Sequence, residues 1–172
     1  MPAGSSQTFG LEQFDVLTLQ AAPIGEVDLF NLGSLKLDLT GSRVQSDKPI
    51  VVFAGHEEAV VGEETEEKDN CCAEHLEEQL FPVSTWGSQL ICAKTKPRSN
   101  PPEPDYWRVI ASVDGTILTT DPVVNGIHGK TLNAGEWAEA STPLSFRLIA
   151  THPIQVAQYT IGQGLTDSFT GD

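Results

Sequence analysis

Apolar and polar residues alternate along Ser34-Leu35-Lys36-Leu37-Asp38-Leu39, along Arg108 to Ser112 and along Pro153 to Tyr159, with turn residues between the runs. A period of two puts one set of side chains on each face of a pleated chain, so these runs predict half-buried β-strands. The run Ile50 to Ala54, IVVFA, is strand-sized and wholly apolar. EVDLFNLG and SLKLDLTG read as a hairpin, and so do RVIASV and TILTT around Asp114-Gly115, since Asp-Gly supplies the positive φ angles of a type I′ turn. Asn125-Gly126 and His128-Gly129 mark a further turn, and Lys130 to Leu132 a short strand. The four prolines of KTKPRSNPPEPD, from Lys94 to Asp105, predict a stiff extended loop that re-enters the fold at Tyr106-Trp107.

One stretch reads as helix, over 71–81 within NCCAEHLEEQLFPVSTWG. Asp69 or Asn70 caps it, Glu74 sits near its positive end, Leu76 and Leu80 share a face at i, i+4, and Pro82 stops it. On this reading Leu76 and Leu80 pin the helix to a sheet and His75 hydrogen-bonds backbone across the junction. Cys72, Trp86 and Gly87 complete the structurally decisive set.

The chain also resembles itself. GSRVQSDKPIVVFAG (residues 41–55) aligns without gaps to SFRLIATHPIQVAQY (145–159) when Arg43 is set on Arg147, which brings Pro49 onto Pro153. An Ala-Gly precedes each copy, in PAG at Pro2 and in NAG at Asn133. Two repeat units, about 1–56 and 84–160, are expected, joined by an acidic loop and the helix over 57–83. The first copy lacks its leading strand, so the chain reads as a fragment of a longer protein. The predicted fold class is all-β: antiparallel sheets in repeated units, a sandwich or alternatively propeller-like blades, with one short helix.

With 39% apolar and 20% charged residues the composition is globular, and the net charge of −14 repels nucleic acid and anionic membranes. The acids crowd between His56 and Gln79, where Lys68 is the only base. That run is a solvated loop by default, and a weak calcium sink on the sharper reading, although it lacks the spacing of a helix-loop-helix calcium loop. No apolar run approaches the roughly 18 residues that would span a bilayer. MPAGSSQTFG has neither the basic nor the apolar region of a signal peptide.

Cys71, Cys72, His75 and Cys92 offer soft ligands for zinc, but no Cys-x-x-Cys pair is present. A disulfide is the competing reading. Adjacent cysteines, with Cα atoms about 3.8 Å apart, are too close for an unstrained bridge, so Cys92 would be the partner of Cys71 or Cys72. Such a bridge closes a loop of about 20 residues and contributes roughly 3 kcal/mol in the chain-entropy model. In a reduced chain all three are small core residues. Catalysis is the least favoured class: there is no nucleophile elbow and no phosphate loop, and the glutamates around a Cys72/His75 dyad would raise the thiol pKa. Trp107 and Trp137 are core anchors by default and a carbohydrate-stacking surface on the sharper reading.

DLTGSRVQSDKPIVVFAGHE, CCAEHLEEQLFPVSTWG, YWRVIASVDGTILT, KTLNAGEWAEA and PIQVAQYTIGQG follow one another in an order that resembles the N-terminal domain of the IgGFc-binding protein family. That family includes large secreted mucus-associated animal proteins and bacterial surface or secreted homologues, and the likeness here is to a bacterial homologue. The resemblance covers about residues 38–172. It implies a non-catalytic extracellular binding, adhesion or scaffold module, resident outside the cell or on its surface. The implied partner is an extracellular protein or a glycan, and no cofactor is implied. Family members often carry a cysteine shortly after the equivalent of Gly55-His56. Here that place is Glu57, and the resemblance implies a bridge to Cys92 instead. The alternative function is a metal-binding module, with zinc at the Cys/His set or calcium at the acidic loop.

Overall fold

The computed structural model describes residues 4–21, 38–62 and 73–166. The chain divides into two compact units, Met1–Leu39 and Thr40–Asp172. The described residues of the first form no helix or strand. They include one tight turn, in which Asp15 donates its backbone N–H to the Glu12 carbonyl (3.1 Å) and accepts the Glu12 N–H on its carboxylate (2.8 Å). Most of the hairpin expected from EVDLFNLG and SLKLDLTG lies outside the described residues.

The second unit is all-β, as the alternation predicts. Its described strands are β1 (Phe53–Ala59), β2 (Glu74–Gln79), β3 (Gly87–Cys92), β4 (Asp105–Ala111), β5 (Thr116–Asp121), β6 (Thr131–Leu132), β7 (Trp137–Thr142) and β8 (Phe146–Thr160). β1 and β2 form a two-stranded antiparallel hairpin, and the other six form one antiparallel sheet that curls as a half-barrel. β8 organises that sheet. Its first half pairs with β3 and β5, its second half with β4, while β6 and β7 flank β5 and β4.

Pro153 lies where β8 changes partners. The register against β3 shifts between Ile149 and Ile154, and the Pro153 carbonyl accepts both the N–H (3.2 Å) and the hydroxyl (2.6 Å) of Ser112. A residue without an N–H fits such an irregularity, because no ladder bond is lost. Strand covers Phe146 to Thr160 here, whereas in the segment aligned with it, residues 41–55, strand starts only at Phe53.

Two expectations about local structure are corrected. Asp114-Gly115 does form a turn, with Gly115 at φ 70°, but β4 and β5 pair with β8 and not with each other. The Asp114 carboxylate instead accepts the backbone N–H of Ala134 at 2.9 Å, tying the turn to a neighbouring one. The helix expected over 71–81 is not formed, and Glu74–Gln79 is strand β2. Leu76 and Leu80 are separated by four residues, a spacing that satisfies a period of two as well as one of 3.6. Pairing with β1, His56 opposite Leu76, decides between them. Cys71, Cys72 and the capping residues Asp69 and Asn70 lie outside the described residues.

The core sits on one face of the curled sheet. Trp107, Val109 and Ala111 of β4, Leu118 of β5, Phe146, Leu148, Ala150 and Ile154 of β8, and Cys92 of β3 pack there with Val124, Ile127 and Leu132. Strict alternation in β4 and β5 explains why these residues point inward. The same alternation carries Asp105, the first residue of β4, to the buried side.

Candidate functional site

A carboxylate forced inward by strand phase needs donors, because an unpaired buried charge costs several kcal/mol. Asp105 finds four. Oδ1 accepts Lys94 Nζ (2.8 Å) and the Thr95 hydroxyl (2.9 Å), and Oδ2 accepts the Thr95 N–H (2.8 Å) and Gln158 Nε2 (2.6 Å). Burial pushes the Asp105 carboxyl up, but Lys94, Thr95 and Gln158 together hold it below the usual carboxylate range. Glu103, two residues earlier, repeats the arrangement. It accepts the backbone N–H groups of Arg98 (2.9 Å) and Ser99 (3.0 Å) and the Arg98 Nε (3.3 Å), and these outweigh burial to lower its pKa as well. Arg98 Nη2 then reaches the Ile161 carbonyl at 2.7 Å. The proline-rich loop is thereby fastened to the end of β8, and both carboxylates are committed as anchors.

Above this base lies an open cleft of about 440 Å³ between the β1–β2 hairpin and the end of β8. Val61, Glu74 and Leu76 form its hairpin wall; Arg98, Gln158 and Tyr159 face them. The Gly162 N–H donates to the Val61 carbonyl at 2.8 Å and joins the two walls. Within the hairpin, β1 and β2 approach closely at Gly55, where a Cβ would lie 2.6 Å from the Leu76 carbonyl oxygen.

The residues singled out from the sequence do not converge. Leu76 is half-buried in the cleft wall, whereas Leu80 is exposed beyond the end of β2, so the two do not pin an element to the sheet. His75 is exposed and meets Glu77 (Nε2 to Oε2, 3.3 Å), its neighbour on the same strand face, instead of bonding backbone across a junction. Trp86 is half-buried, and its indole N–H donates to the Phe81 carbonyl at 3.1 Å, fixing the short 3-10 turn Val83–Thr85 between β2 and β3. Gly87 opens β3 with free space around it and at a φ outside the glycine region.

Cys92 is a buried free thiol in the core, and burial pushes its pKa up to about 11; its expected bridge partners, Cys71 and Cys72, lie outside the described residues. Among the described residues no three His, Cys, Asp or Glu side chains gather closely enough to hold a metal ion. The acidic run from Glu63 to Asp69 lies outside the described residues.

The two tryptophans separate. Trp107 is 2% exposed and packs edge-on against Phe146, with ring centroids 5.3 Å apart. Trp137 is 37% exposed, but the Arg108 guanidinium lies over its ring, 4.2 Å from the centroid, and pairs with Glu139 at 2.8 Å. One face of the indole is therefore already occupied. The networks of Asp105, Glu103 and Arg108 were missed in the sequence, although the phase of Asp105 with Trp107, Val109 and Ala111 was a readable signal for the first.

Among the described residues no helix is long and apolar enough to cross a membrane. No solved structure matches the chain. The human IgGFc-binding protein is 26% identical over 163 residues, which cover 95% of this chain and 2% of that protein. The chain thus spans about 2% of the length of the curated relative it matches. The family model described as IgGFc binding protein matches residues 1–172, and the chain accordingly belongs to the IgGFc-binding protein family.

Proposed function

We propose that the chain is a non-catalytic, extracellular binding module with an adhesion or scaffold role, and that its ligand is a protein. The observation that carries this reading is the family match over residues 1–172. The human relative is named for binding the Fc part of IgG, and what is carried over here is the class of ligand, a folded extracellular protein, not Fc itself. The site we assign is the β1–β2 hairpin with the cleft beside it. Its support is physical: the hairpin and the end of β8 line a cleft whose floor carries paired charges, and the hairpin presents Phe53 and Phe81, 59% and 63% exposed, to solvent. Exposed aromatics are what protein interfaces use as anchors. The test is an array of purified extracellular proteins and glycans probed with the full chain. Saturable binding to a protein supports the reading. Binding to glycans alone, or to nothing, contradicts it.

A further inference from the structure

β1 and β2 have only each other as strand partners among the described residues, and a two-stranded sheet is marginal in water. Its two faces differ. Phe53 lies opposite Gln79 on one face, which also carries His75 and Glu77 in contact with each other, with Phe81 exposed just past the end of β2. Glu74, Leu76 and Glu78 lie on the other, with Ala54 opposite Glu78 and His56 opposite Leu76. The two strands carry Glu57, Glu58, Glu74, Glu77 and Glu78 and no Lys or Arg. Among the described residues the hairpin therefore combines an unpaired strand edge, exposed aromatics beside Glu77 on one face, and Glu74 and Glu78 flanking Leu76 on the other.

We propose that this edge takes an extended segment of the partner protein as a third strand, and that this segment alternates apolar with basic residues. This rests on the binding-module reading above. Strand addition satisfies the edge N–H and C=O groups whatever the sequence added, so specificity comes from the side chains, which alternate between the faces. Apolar residues of the segment meet Phe53 and Phe81, and its Lys or Arg residues meet Glu74 and Glu78. Charge complementarity selects this occupant over a second copy of the chain, which at −14 is repelled and whose hairpin would set carboxylates against carboxylates. It also excludes an acidic or uniformly apolar segment.

The test uses the full chain and two fluorescent peptides of equal composition, one alternating Val with Lys and the other carrying the same residues in two blocks. The alternating peptide is expected to bind at least about tenfold more tightly than the block peptide and to weaken as salt rises from about 50 to 500 mM. Glu74→Lys with Glu78→Lys, and separately Phe53→Ser, should each cost it at least about tenfold. Bound peptide should slow amide exchange along Glu74–Gln79. All three substituted side chains are exposed, and circular dichroism checks that the sheet is retained. Equal binding of both peptides, indifference to the variants or no binding of the alternating peptide overturns the proposal. If the array yields a protein that both hairpin variants still bind normally, this inference fails and the binding-module reading stands; an empty array removes both.

Discussion

Lys94 Nζ and Asp105 Oδ1 form an ion pair of 2.8 Å with side chains 7% and 1% exposed, at the junction of the proline-rich loop and β4. The pair exists because strand phase sends Asp105 inward, and it positions the loop that floors the cleft. Asp105→Ala leaves the Lys94 ammonium buried and uncompensated. A loss of about 3–5 kcal/mol is expected by urea denaturation. A loss below about 1 kcal/mol would mean that the pair is solvated, as exposed pairs are.

The depressed pKa values of Asp105 and Glu103 make stability depend on acid in a definite direction. A carboxyl whose folded pKa lies below its unfolded one contributes stability that is complete above the unfolded value, near pH 4, and is lost as pH falls through the lower folded value. The difference in melting temperature between the wild type and Asp105→Asn should therefore be constant at neutral pH and shrink below about pH 4. A difference that grows on acidification has the wrong sign for this network.

Gly55 tests the hairpin independently of the sheet. With a Cβ placed 2.6 Å from the Leu76 carbonyl oxygen, Gly55→Val forces β1 and β2 apart. Amide exchange should accelerate over Phe53–Ala59 and Glu74–Gln79 while the core strands β4 and β8 keep their protection. Unchanged protection of the hairpin would show that the two strands do not approach as described.

Burial and the raised pKa leave the Cys92 thiol almost wholly protonated at pH 8 and out of reach of reagents. Peptide mapping after iodoacetamide treatment should find Cys92 unmodified in the native chain and alkylated in about 6 M guanidinium. Native alkylation, or a mapped bridge from Cys92 to Cys71 or Cys72, contradicts its placement.

Much of the fold was legible because strand phase is a local property. The alternation in β4 is visible residue by residue, and so are the turns at Asn125-Gly126 and His128-Gly129. Pairing is not local. Asp114-Gly115 carries a hairpin signature, yet β8, more than thirty residues downstream, takes both flanking strands. β2 reads as helix because glutamate and leucine favour helices and Leu76 and Leu80 fit both periods; only its partner β1 separates the two. The site was harder still. His75, Leu80 and Gly87 stood out by composition and lie in the open, while Asp105, Glu103 and Arg98 act through contacts that no spacing rule predicts.

Hydrogen exchange on the full chain, with and without the protein captured on the array, decides whether the hairpin and its cleft hold that protein. The predicted result is slowed exchange along Phe53–Ala59, along Glu74–Gln79 and at the end of β8 near Ile161, with β5 and β6 unchanged. Protection confined to β5 and β6, or no protection under saturating partner, would contradict it.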